Sequence, residues 1–348
     1  MPIFLSHRSA LKFWRQNGHN LTHALAGSVE KQTSITVATI NDGNVQVLSK
    51  ERIANNSPSM KIQVTREMPP GKVPDYSLLI KAYNLGATFP IDVLCSKQAM
   101  RHNIKRIKQH TLSIDAPSGS FIKVRKDVVV CSPELCFLQM ATLLELPKLI
   151  MLGYELCGTY SLLSTSKLKK RDALTTTQKI RAYVTKMSGA HGHTKAMRAL
   201  SYIQNGAESP METRLAMLLT LPYKLGGYGF PFPDLNHVVS PTKSARANAN
   251  KTHYRCDLFW LDKKLDVEYD SDTHHLGRER IAADAIRRNA LISLGVTVVV
   301  VTRTQFYDLR QFDKLARQIA SLLGRRLRYV PEEFMCKHKE LRKMLNDV

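Results

Sequence analysis

Between Cys256 and Asp270 the chain reads CDLFWLDKKLDVEYD, acids set into an otherwise apolar and aromatic stretch. The alternation of apolar and polar residues on both sides of Asp262-Lys263-Lys264 predicts a β-hairpin with one buried face. Leu265, Val267 and Tyr269 fall on one face of the second strand, and Asp266, Glu268 and Asp270 on the other. A two-residue turn on Asp262 and Lys263 sets Asp257 opposite Glu268. A turn on Lys263 and Lys264 sets it opposite Asp270. Either register leaves Asp257 on the acidic face, whereas a three-residue turn does not. Directly opposed residues hold their Cβ atoms about 4.5–5.5 Å apart, and carboxylates that close repel, the more so when buried. A divalent cation resolves the conflict, because hard oxygen ligands suit Mg²⁺, and such an ion activates water and stabilises charge on a phosphate.

The flanking sequence supplies regular elements. Ser209 is a helix N-cap, Pro210 suits the first helical position, and Glu212 completes a capping box for a helix to Leu221. A first strand is expected near Asn236–Ser240. Arg278–Leu294 reads as a helix ended by Gly295, with Ala282, Ile286 and Ala290 as its buried row. Val296–Val301 is a continuous β-branched run, hence an interior strand reached from the hairpin by a right-handed crossover. Phe312–Leu323 reads as a closing helix, followed by a basic, helix-patterned tail over 331–348.

These pieces together resemble the PD-(D/E)XK nuclease superfamily and, more narrowly, its very-short-patch-repair (Vsr)-like endonuclease domains. The resemblance is carried by SPMETRL with Glu212, CDLFW with Asp257, DVEYDSDTHH with Glu268, Asp270 and His274, the helix AADAIRRNALISLGV and the strand VTVVVVTR. It implies an α/β fold with a restriction-endonuclease-like αβββαβ core, a mixed sheet with flanking helices, over 209–330. It also implies metal-dependent hydrolysis of DNA with Mg²⁺ or Mn²⁺, Asp257 and Glu268 as metal ligands, and Asp270, His274 and Glu212 as further catalytic residues. Two departures stand out. Asp270 occupies the position of the superfamily's lysine, which leaves the general base unassigned, and Ser271 replaces a usual glycine. An imidazole titrates near neutrality, which makes His274, with His275 as the alternate, a candidate base or leaving-group acid. Asp262, Asp266 and Asp272 are expected on the surface.

The chain of 348 residues has room for two cores. Its formal charge of +22, from 51 Lys and Arg against 29 acids, favours a polyanionic partner, DNA first. Lys251, Arg255, Arg287 and Arg288 are the candidate phosphate contacts. Six cysteines without a CxxC pair argue against zinc and against a disulfide framework, which suits a reducing cytoplasm. The N-terminal residues are too short an apolar run for a signal peptide, and no segment approaches the roughly 20 apolar residues of a membrane span. No small-molecule cofactor is implied. Residues 1–165 read as an α+β recognition or regulatory domain. SHRSALKFW (6–14) and the SPE…LGYELCGTY stretch of 132–160 resemble abortive-infection antitoxin (AbiEi)-like proteins. Within Cys95–His110, Arg101, Lys105 and Lys108 would share a face if the stretch is a helix, a solvated basic face or a phosphate-binding one. STSKLKKRDALTTT (164–177) is the candidate linker at the head of a helical linker region over 166–208, in which the SGAHGH of 188–193 is a loop and not a metal site. Two functions follow: a metal-dependent DNA endonuclease in a defence or toxin-antitoxin setting, or a non-catalytic DNA-binding regulator of antitoxin type.

Overall fold

The computed structural model describes residues 2–18, 63–65, 90–96, 106–164, 167–240, 253–270, 278–329 and 331–347. The protein is mixed α/β and divides into two compact units, Met1–Ile203 and Gln204–Val348. Among the described residues no helix is long and apolar enough to cross a membrane. All six cysteines are free thiols, buried except for Cys336.

In the first unit β1 (Ile3–Leu5), β2 (Gln63–Thr65), β3 (Ile91–Cys95), β4 (Ile107–Thr111), β5 (Phe121–Arg125) and β6 (Val128–Cys131) form one mixed sheet in the order β2-β5-β6-β1-β3-β4. β1 runs parallel to β6 and antiparallel to β3. Every residue of these three central strands is buried, as unbroken apolar runs such as VVVC require when both faces are covered. The helices are α1 (His7–Asn17), α2 (Pro133–Met140) and α3 (Leu146–Cys157), then α4 (Thr177–Lys186) and α5 (His193–Leu200) beyond a hairpin of β7 (Tyr160–Ser164) and β8 (Lys167–Lys170). Ser132 caps α2 by accepting from Leu135 N at 3.3 Å, as the Ser-Pro-Glu start predicts.

Two expectations for this unit are corrected. Lys108 lies on β4, not on a basic helix; Arg101 and Lys105 fall outside the described residues. The linker region is integrated instead. β8 pairs with β7, Arg171 is buried and donates to the carbonyls of Gly158 and Glu155 at 3.1 and 2.6 Å, and Ile180, Val184, Ala196 and Ala199 are fully buried. Arg171, Arg181 and Lys195 donate to backbone carbonyls, while Lys170, Gln178, Lys179 and Lys186 face water.

α1 begins on a strained residue. His7 has φ 45°, which is uncommon for a side chain other than glycine. Its ring stacks on His110 at 3.7 Å, and His110 Nε2 lies 2.7 Å from Oδ1 of the buried Asp92. Burial, then the neighbouring His110, pushes His7 down to about 3. The folded state therefore binds fewer protons than the unfolded chain between the two pKa values. The stabilisation is whole above about pH 6.5 and is lost as pH falls toward the folded value. In a Trp260→Phe background, with Trp14 as reporter of this unit, urea midpoints are expected to drop on acidification below that pH. His7→Asn, which tolerates the backbone, should flatten the drop; an equal drop in both proteins would refute the role of His7.

The second unit holds α6 (Pro210–Thr220), β9 (Asp234–Val239), β10 (Tyr254–Trp260), β11 (Leu265–Asp270), α7 (Arg278–Ser293), β12 (Thr297–Thr302), α8 (Arg303–Tyr307), α9 (Leu309–Leu322) and α10 (Pro331–Asn346). Its sheet runs β12-β11-β10-β9, with β11 and β12 parallel and the other pairs antiparallel. β12 is thus the terminal strand among the described residues, not an interior one. Val299 and Val301 are buried, while Thr297 and Thr302 are exposed. α7 is also turned from its expected face. Ile286 is 51% exposed, and Leu291 packs inward with Ala290 against Tyr254, Cys256 and Phe259. The basic tail is α10, part of this unit's core, with Phe334, His338, Leu341 and Leu345 buried. Gly226 (φ +86°) admits it, because a Cβ there would stand 2.4 Å from the Lys337 carbonyl oxygen.

Candidate functional site

The hairpin closes through a single 3₁₀ turn at Leu261–Lys263 and a left-handed Lys264 (φ 44°). Its ladder pairs Trp260 with Leu265, Phe259 with Asp266 and Leu258 with Val267. The paired residues end there, and beyond them Cys256 shares a cluster with Phe259, so the strict alternation read from the sequence is not kept at Asp257. Asp257 Oδ2 accepts from the backbone N–H of Tyr269 at 3.2 Å.

Glu212 arrives from α6. Ser209 Oγ accepts from Glu212 N at 3.1 Å, which fixes the first turn of that helix. The Glu212 carboxylate then accepts from Glu208 N at 2.9 Å and from Asn236 Nδ2 at 2.7 Å. Glu212 is therefore both part of the helix start and a neighbour of the acids. Burial first, then the charges of Glu212 and Glu268, push Asp257 up to about 7.

Asp266 was expected on the surface and is instead fully buried. The acidic face is not the solvent face, because α7 lies over it and brings Leu291 and Ala290 toward the strands. The Asp266 carboxyl has no backbone donor among the described residues, and its neighbours are the side chains of Glu268 and Cys256. Burial, then the adjacent Glu268, hold it well above the usual carboxylate range, so it retains its proton at neutrality. Nothing in the alternation marks it, since a period of two separates faces without saying which is covered.

Glu268 is gripped by Arg287, whose Nη1 and Nη2 donate to its two oxygens at 3.0 and 2.5 Å. Arg287 also donates to the Arg255 carbonyl, so here it joins α7 to the hairpin and does not lie free for phosphate. Arg255 itself is half-exposed and paired with Glu208. Arg288, next along α7, is exposed. Asp270 ends β11 half-buried, beside Thr302 of β12. Lys251, His274 and His275 lie outside the described residues, as does Asp272. Among the described residues no group of three or more His, Cys, Asp and Glu is arranged to hold a metal ion. Asp257, Glu268 and Glu212 carry hard oxygen atoms of the kind a divalent cation takes.

Two predictions follow from this electrostatic arrangement. Raising the folded pKa of Asp257 above its unfolded value makes its contribution favourable in acid and progressively lost as pH rises through about 7. Asp257→Asn should therefore raise the stability of this unit at pH 8, on the order of 2 kcal/mol, with the gain vanishing near pH 4; urea unfolding read at Trp260 measures both. Arg287→Met leaves Glu268 without its counter-ion in a partly screened site and should cost roughly 1–3 kcal/mol. An unchanged midpoint would show that solvent, not Arg287, satisfies Glu268.

No family model matches the chain, and no solved structure matches it. Two curated relatives, the uncharacterized proteins MT2308 and Rv2248 of two Mycobacterium tuberculosis strains, CDC 1551 / Oshkosh and H37Rv, are each 27% identical over 142 residues. That match covers 41% of this chain and 47% of each relative, so the chain spans about half the length of the curated relatives it matches.

Proposed function

We propose that the second unit is a metal-dependent DNA endonuclease of the PD-(D/E)XK, Vsr-like kind. The observation that carries this reading is the crowding of Asp257, Asp266 and Glu268 on one hairpin. Asp257 is pushed up to about 7, and the buried Asp266 stands beside Glu268. The order helix, three strands, helix, strand supports it, as does Glu212 beside Asp257. Asp257 and Glu268 would hold Mg²⁺ or Mn²⁺. When bound, the ion supplies an activated water and neutralises charge on the phosphodiester. Arg287 orients Glu268 from α7. Arg255, Lys251 and Arg288 contribute positive charge for the DNA backbone, in keeping with a formal charge of +22. His274 is the candidate proton acceptor. The first unit would serve as the recognition or regulatory module.

The alternative is a DNA-binding regulator without cleavage, and one observation favours it. Glu268 already has both oxygens engaged by Arg287, as a relic site that only binds would have. Incubation of supercoiled plasmid with the full chain and Mg²⁺ or Mn²⁺ separates the two. The nuclease reading expects nicking or linearisation, reduced about a hundredfold or more by Asp257→Asn or Glu268→Gln. Retained gel shifts with no cleavage under any ion would establish the regulator.

A further inference from the structure

Away from the acidic hairpin, the second unit buries positive charge that forms no ion pair among the described residues, Asp308 acting on it only from a distance. Arg342 of α10 is 8% exposed. Its Nε donates to His338 Nε2 at 2.8 Å and its Nη1 to the Phe306 carbonyl at 2.6 Å, while Nη2 is buried with no partner. The guanidinium stands 4.5 Å from the Phe312 ring centroid and 5.5 Å from that of Phe306. These faces offset part of its desolvation, but they supply no counter-ion. The half-buried Arg214 of α6 is a second unpaired guanidinium. Its Nε is buried and unpartnered, and its Nη1 reaches only the Met211 sulfur at 3.6 Å. Among the described residues neither arginine has a carboxylate within ion-pair distance. Both line one small pocket, which Leu218, Phe306, Leu345 and Asn346 complete.

We propose that this pocket binds one small oxyanion of the phosphate class between the guanidinium groups of Arg214 and Arg342. An arginine keeps its charge when buried, so the unsatisfied N–H groups call for an anion and not for proton loss. With Nε and Nη1 of Arg342 already engaged, single free N–H groups from two helices favour a tetrahedral anion, whose oxygens spread in several directions; a planar carboxylate calls for one whole fork. The apolar walls of Leu218, Phe306 and Leu345 limit the occupant to the anionic group itself. The source is either free phosphate or the terminal phosphate of a nucleic acid. The pocket shares no residue with the acidic cluster, so it stands whether or not that cluster cuts DNA.

Calorimetric titration of the full chain with inorganic phosphate, at ionic strength held constant with chloride, is the test. One saturable site is expected. Arg342 also supports His338 and the α8 backbone, so its variants risk misfolding. Arg214 bonds no backbone carbonyl, and Arg214→Gln should fold with an unchanged unfolding midpoint and bind phosphate about tenfold more weakly, the loss of one charge-assisted interaction. The exposed Arg310→Gln controls for general charge and should bind as wild type. Absence of a saturable site, or equal weakening in both variants, overturns the proposal. Displacement of phosphate by a 5′-phosphorylated oligonucleotide but not by its 5′-hydroxyl form assigns the occupant to a nucleic-acid end; equal behaviour of the two assigns it to a free anion.

Discussion

The ion pair between Arg287 and Glu268 is the contact on which the second unit turns. Three carboxylates stand on one short hairpin beneath a helix, an arrangement that burial alone would push apart. Arg287 brings a counter-charge from α7, closes both Glu268 oxygens and ties the helix to the Arg255 carbonyl in the same reach. The field of those acids also reinforces the arginine. Burial lowers its pKa, yet Glu268 outweighs the loss and the net shift is upward. Asp257 and Asp266 are left without an equivalent partner, and they respond by holding protons. The site is therefore charged only in part, and its chemistry depends on what positive charge comes near it.

Much of this was legible in the residues. Cys256–Asp270 announced a hairpin through its period of two, and the two strands do pair, although through a 3₁₀ turn and a left-handed Lys264 that no glycine signalled. Ser209, Pro210 and Glu212 announced the start of α6. What the alternation could not say is which face α7 would cover. Asp266 was therefore assigned to solvent, and Ile286, not Leu291, to the core. Both errors share one cause: in a helix laid over an acidic strand, the residue that reaches the acids sets the rotation, and that residue is Arg287. The valine run of β12 misled differently. Unbroken β-branched sequence reads as a central strand, but here the terminal strand is covered on one face by the unit's helices and half-covered on the other.

The first unit shows the opposite relation between polarity and position. Residues that read as solvated connection, among them Arg171 and the basic strand β8, are built into the fold by hydrogen bonds to carbonyls. Composition separates domains only where polar side chains all face water, and here Arg171 faces backbone. The stacked pair His7 and His110, with Asp92 behind it, is a polar node in the same style, and no spacing in the sequence brings three such distant residues together.

The distribution of thiols has a practical corollary. Five cysteines are sealed in the interior, where burial pushes Cys131, Cys136, Cys157 and Cys256 toward the protonated, unreactive form, while Cys336 faces water from α10. A maleimide dye offered to the native protein should settle on that single sulfur. It would ride on the helix that carries Arg342, and its emission could follow α10 through unfolding with no cysteine engineered in or removed.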